Sequence, residues 1–278
     1  MPTPTPNLPP LFKYCDTRAV PILEHRSLKV PTSFNDPFEL SPVVQCSDPH
    51  AFAVRYVRTV VLSNPRFYNA HRSIFPQCRD FGAFQAYARG NLPTMYAALK
   101  AALPQMNTEL QDEFFDTLSN KNGILCFSAD PVQHLMWSHY AESHAGFLIE
   151  FDSKHDFLTY ALKVEYMPQK AVYDPTIGPN DAAIETVVRT KSLHWGYEQE
   201  YRVVIPLQLT TLDNSKTPPW HLFEIDPASV KSVTFGCKTT DALKNQISTV
   251  LTAPHWHHVA KYQISLSRDT FSLIRNPI

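Results

Sequence analysis

Glu198, Glu200 and Arg202 occupy every second position in residues 195–204, WGYEQEYRVV. On a strand, residues two apart share a face. Three charges are therefore expected side by side on an element whose continuation, residues 203–205, has the composition of a buried strand. The plain reading is a solvated face with an ion pair, worth at most about 1 kcal/mol. The neighbours argue for more. Trp195, Tyr197 and Tyr201 surround the charges, and a strand paired on both sides would set the carboxylates in the wall of a cleft. A carboxylate beside an arginine stays ionised. A fixed anion of this kind can stabilise developing positive charge or hold a sugar hydroxyl. Glu200 is thus the first candidate catalytic residue, Glu198 the second, and Arg202 their charge partner at the ligand.

A second concentration of chemistry lies in residues 127–147, FSADPVQHLMWSHYAESHAGF. Phe127 and Ser128 end a strand. Asp130 as N-cap and Pro131 in the first turn predict a helix start. Trp137, Ser138 and Tyr140 supply rings to stack on a planar ligand and hydroxyls to orient it. A ring stripe at helical spacing also reads as core. His134, His139 and His144 are spaced five and five, which does not place them on one helical face as metal ligands four apart would be. No metal is expected. In residues 34–39, FNDPFE, Asn35 and Asp36 read as a turn before Pro37, and such a loop can reach into a site. Lys191 falls on the apolar face of a helix predicted over 181–194. Snorkelling accounts for it there, and its position also lets it pair with Glu198 or a phosphate. Cys126, between Leu125 and Phe127, reads as a buried, inert thiol.

These residues need a scaffold. The pattern predicts strands over 11–15, 123–128, 147–151, 161–166, 259–266 and 270–274, and helices over 48–62, 80–120 and 240–251. The clearest helix is 107–120, with Asn107 as cap, a Leu110, Phe114 and Leu118 stripe, and Asn122-Gly123 as stop. Helices gather in the first half and strands in the second. The expected fold is α+β with a mixed, mainly antiparallel sheet. Residues 1–10 read as a disordered Pro-rich tail, and 11–278 as a single domain with a helical insertion at 48–120.

Composition narrows the class. The 278 residues are 44% hydrophobic, with 25 basic against 26 acidic side chains and a net charge of −1. That balance offers no strong nucleic-acid footprint. No apolar run is long enough to span a bilayer, and the N terminus lacks the regions of a signal peptide. Five cysteines without a CxxC argue against a disulfide framework or zinc knuckle and for a reducing, cytoplasmic compartment. There is no Gly-rich phosphate loop.

In order along the chain, LFKYCD, FNDPFE, ILCFSADP, LMWSHYAESHAGFLIEFD, LKVEY, WGYEQEYRVV and VKSVTFGCK resemble the bacterial family called domain of unknown function 2971. FNDPF, MWSHYA with its following HxGF, and YExEYR are specific in combination. That family name implies no settled activity. The motif order is also similar to that of the ADP-ribosyltransferases. This second resemblance implies a split sheet around an NAD cleft, with Lys13 or Tyr14 at the NAD-contacting position of the first strand. It implies Phe127 and Ser128 at the end of the middle strand and Trp137 or Tyr140 as the ring beside nicotinamide. Glu200 would be catalytic, and Glu198 would complete the ExE pair of some toxins. NAD would be a substrate cleaved at its nicotinamide–ribose bond, in an enzyme of toxin or phage-defence type.

Two other classes stay open. A metal-dependent nuclease would use Glu150, Asp152, Glu165 and Lys191, provided the carboxylates converge on Mg²⁺. A non-catalytic ligand- or protein-binding module would keep the charged trio as an ion-pair ladder. The partner expected first is a nucleotide-type small molecule, with no membrane involved and with an acceptor the sequence does not specify.

Overall fold

The computed structural model describes residues 5, 7–32, 34 and 36–278. Asn35, a candidate ligand contact, lies outside the described residues, as do positions 1–4 and 6 of the Pro-rich tail. Within that tail the Thr5 hydroxyl donates to the Ala161 carbonyl at 3.0 Å, and Leu8 packs against the core.

Eight strands, labelled β1 to β8 in chain order, form the main sheet. They are β1 (Leu11–Cys15), β2 (Asn122–Ser128), β3 (Phe147–Phe151), β4 (Leu162–Lys163), β5 (Glu200–Pro206), β6 (Val230–Phe235), β7 (Ala260–Leu266) and β8 (Leu273–Pro277). Their spatial order is β8-β7-β6-β3-β1-β2-β5-β4. Neighbours are antiparallel except β6 and β7, which helix Asp241–Val250 links in sequence. The chain is thus α+β with a largely antiparallel sheet.

The central strands are apolar at successive positions because both faces are covered. Leu11, Leu125, Phe127, Ile149, Phe151, Tyr201 and Val203 point into one core, closed by helix Asp241–Val250 through Leu243 and Ile247. Phe12, Tyr14 and Leu148 point to the other face, where helix His134–Tyr140 packs with Met136 and Trp137. The strand pairings are uneven. β5 and β2 are in register from Glu200↔Ser128 to Pro206↔Asn122, and β1 and β3 pair along the whole of β1. β1 and β2 share a single paired position, Phe12↔Ser128. Past that point the sheet parts, and this opening positions the site.

The chain divides into two units. One comprises Met1–Glu39, Ser119–Gln169 and Val188–Ile278 and holds the main sheet. The other comprises Leu40–Leu118 and Lys170–Val187 and is largely helical. Two of its helices begin where the sequence supplies an Asx cap followed by proline. Asp48 accepts from the His50 and Ala51 amides ahead of Pro49, and Asn64 accepts from the Arg66 amide ahead of Pro65. Val57, Val61, Tyr68, Phe84 and Ala88 form its core, and Leu110, Phe114 and Leu118 are buried as their spacing predicts. Among the described residues, no helix is long and apolar enough to cross a membrane.

Three local expectations around the charged strand and its neighbouring helix fail. The helix expected from Asp130 starts at His134, because Asp130 closes its own turn by accepting from the Val132 amide at 2.9 Å. The helix expected over 181–194 ends at Arg189, and Lys191 lies in the short strand Thr190–Ser192. Glu198 is not on β5 either. It ends the 3₁₀ turn Leu193–Glu198, and Gln199, at φ 45°, swings the chain into the strand.

Candidate functional site

The parting of β1 from β2 leaves a cleft of about 150 Å³. One wall is β1, with Phe12, Lys13 and Tyr14; the facing wall is β2, with Cys126, Phe127 and Ser128. Helix His134–Tyr140 contributes Met136 and Tyr140. Phe34, Glu39, Lys191, Glu198 and Glu200 complete the lining. A cavity of this size holds a single six-membered ring or a sugar. A larger ligand must extend out of its open side.

The charged wall is one continuous network. Lys191 Nζ donates to Glu198 Oε2 at 2.6 Å and to Glu200 Oε2 at 2.8 Å, and lies 3.5 Å from Glu39 Oε2. Arg202 grips Glu200 with both edges of its fork, Nε to Oε1 at 2.9 Å and Nη2 to Oε2 at 3.1 Å. It also pairs with Glu39 and donates through Nη1 to the Val188 carbonyl at 2.7 Å. The Tyr140 hydroxyl donates to Glu198 Oε1 at 2.7 Å. Arg202 is fully buried, and Glu198 and Glu200 are nearly so. A buried charge survives only when paired and hydrogen-bonded, and here each ion has an opposite ion within contact distance.

The two strand-turn carboxylates are driven apart. Burial raises both. In Glu200 the Arg202 guanidinium, then Lys191, overcomes burial and holds the carboxyl down at about 2. In Glu198 burial outweighs Lys191 and the Tyr140 hydroxyl, and the carboxyl sits above its ordinary value. Burial lowers the Lys191 ammonium, but Glu200, Glu39 and Glu198 outweigh it, so Lys191 is held charged. The Cys126 thiol is pushed well up, by burial first and Glu200 next. Two carboxyls separated in this way are suited to different roles, one a permanent anion and one a proton acceptor.

The site is shaped by its second layer of contacts. Ser128, opposite Glu200 in register, donates from its hydroxyl to the Glu198 carbonyl at 2.6 Å, and so fixes the turn that carries Glu198. The Tyr166 hydroxyl accepts from the Glu200 amide at 2.8 Å. Asp36 lies outside the cleft lining and accepts from the Trp195 indole at 2.8 Å, tying the FNDPFE loop to the turn before Glu198.

Of the candidates, Lys13, Tyr14, Phe127, Ser128, Tyr140, Lys191, Glu198 and Glu200 come together around this cleft, with Arg202 directly behind Glu200. Trp137 and Ser138 do not line it. Trp137 has no exposed surface. Its indole donates to the Pro131 carbonyl at 2.9 Å, its ring meets Tyr14 edge-on, and it belongs to the core behind the wall. Ser138 turns away and pairs with His144 Nε2 at 3.1 Å. Lys191 is an ion-network centre rather than a snorkelling helix residue. Glu39 is a member of the site that sequence reasoning does not reach. It closes the FNDPFE motif, but nothing in its spacing shows that it meets Arg202. The nuclease set is dispersed among separate ion pairs: Glu150 with Arg275, Asp152 with Lys231, Glu165 with Arg189.

The family described as Protein of unknown function (DUF2971) matches residues 136–203. This stretch runs from Met136 in the cleft to just beyond Arg202, and includes Tyr140, Lys191, Glu198 and Glu200. The β1 and β2 walls and Glu39 lie outside it. No curated protein matches the chain, and no solved structure matches it.

Proposed function

We propose that this protein is an enzyme that cleaves the N-glycosidic bond of a nicotinamide nucleotide, with NAD as substrate. One observation carries the reading. The sheet opens between β1 and β2, and Glu198 and Glu200 stand at that opening with their acidities separated, in a ring-sized cleft that Tyr14 and Tyr140 also line. In the reaction the C1′–N bond breaks and its electron pair leaves on the ring nitrogen, which neutralises the pyridinium. The sugar carbon becomes electron-poor, and ionised Glu200 stabilises it electrostatically. A nucleophile, water or an acceptor group, then adds its lone pair to that carbon and gives its proton to Glu198. Tyr140 and Tyr14 offer ring faces or edges to the planar leaving group. The remainder of the dinucleotide extends from the open side.

Turnover of labelled NAD by the wild type and by Glu200→Gln tests this. Loss of about a hundredfold or more in the variant is expected. An equal rate in a folded variant removes Glu200 from the mechanism.

A second reading rests on the closed state of the network. Arg202 Nε and Nη2 and Lys191 Nζ engage three of the four acceptor positions of Glu200. A cleft so satisfied suits a module that holds a nucleotide without cleaving it. Saturable NAD binding with no turnover selects this reading.

A further inference from the structure

Glu198 and Glu200 alone would balance Lys191 and Arg202. Glu39 is a third carboxylate on the same pair of cations, with one oxygen on Arg202 and the other 3.5 Å from Lys191 Nζ. Its side chain is only 3% exposed, and it faces the cleft. Three carboxylates against two cations leave this wall with an excess of one negative charge. At short range in a partly dry cleft, such an excess acts strongly on any charged group that enters. The β1 wall has the opposite sign. Lys13 lies 5.7 Å from the Phe127 ring centre, with no carboxylate within ion-pair distance among the described residues.

We propose that Glu39 is a specificity-determining residue that gives the carboxylate end of the cleft its net negative charge, so that this end takes a cationic heteroaromatic ring and rejects phosphate. Naming a pyridinium as that ring rests on the N-glycoside reading above. The Tyr140 ring on the adjoining wall adds a face suited to a cation. A ligand with an anionic group elsewhere directs that group away from Glu39, toward the side of Lys13.

The test is calorimetric binding to the full-length chain of two probes with the same ring, 1-methylnicotinamide, a cation, and nicotinamide, which is neutral. The wild type is expected to favour the cation by about tenfold or more, and inorganic phosphate is expected not to displace it. Glu39→Gln should bring the ratio close to one, while Glu39→Asp should retain it. Near-ultraviolet dichroism and melting curves establish that both variants are folded. Equal affinities in the wild type, an unchanged ratio in folded Glu39→Gln, or displacement by phosphate overturns the assignment. The measurement is independent of catalysis. A cation preference without NAD turnover leaves Glu39 in this role and removes the reaction, whereas turnover without a cation preference does the reverse.

Discussion

Glu198 and Glu200 share one ammonium: Lys191 Nζ lies 2.6 Å from the first and 2.8 Å from the second. They are nonetheless unequal, because Arg202 clamps Glu200 whereas the Tyr140 hydroxyl joins Lys191 on Glu198. The asymmetry comes from the partners, and each partner can be removed.

Arg202→Met should destabilise the protein by roughly 3–5 kcal/mol, because it leaves Glu200 and Glu39 buried beside a single ammonium. Combining it with Glu200→Gln should recover part of that loss. Urea unfolding of the two single variants and the double variant measures the coupling. Additive losses would show that the pair does not interact.

Acid should weaken the fold through Glu200. Its carboxyl falls from an ordinary value of 4.5 to about 2 on folding. A depressed value contributes stability that is present above pH 4.5 and is lost as pH falls toward 2, of order 3 kcal/mol in total. Glu198 is raised instead. Its contribution is present below its unfolded value and lost as pH rises through its folded one, the opposite sign. Unfolding free energies from pH 7 to pH 2 should therefore show a shallower acid limb in Glu200→Gln than in the wild type. An identical limb would rule out this assignment.

Tyr140→Phe removes a hydroxyl donor that lowers the Glu198 carboxyl. Glu198 should move further up, and because it acts ionised in the proposed reaction, the rising limb of NAD turnover should move to higher pH. Where that limb moves up by one pH unit, the rate at a fixed pH on it falls roughly tenfold. A pH profile with no displacement would separate Tyr140 from the titration.

Trp137→Ala should cost roughly 3–5 kcal/mol, as for other buried large rings. In the folded fraction the affinity for nicotinamide should change far less than in Tyr140→Ala. The reverse order would return Trp137 to the ligand wall.

Gly146 stands in the HxGF segment where a Cβ would lie 2.1 Å from the Cys15 carbonyl oxygen. Backbone cannot yield as a flexible side chain does, so Gly146→Ala should destabilise by roughly 3 kcal/mol or more, measured as a shift in the urea midpoint.

Much of the scaffold is legible in the sequence because its causes are local. Alternation and apolar runs place β1, β2, β3 and β5. Asx-Pro pairs place helix starts in the helical unit, and the Leu110, Phe114 and Leu118 stripe shows which face is buried. Spacing of two puts Glu200 and Arg202 on one face of one strand, where the structure also has them. Glu198 joins them for a reason spacing does not encode. It sits on a 3₁₀ turn, and a left-handed Gln199 together with the Ser128 hydroxyl aims it inward.

What only the tertiary structure decided is which groups meet across long separations and which side of an element meets a cavity. Arg202 pairs with Glu39 at a separation of 163 positions, and no periodicity spans such a distance. Trp137 and Tyr140 lie on the same helix with similar side chains. One is sealed in the core and the other lines the cleft, because the sheet beneath them parts between β1 and β2 instead of closing. Residue type determined that this protein carries rings, carboxylates and two strong cations. The opening in the sheet decided which of them face a ligand.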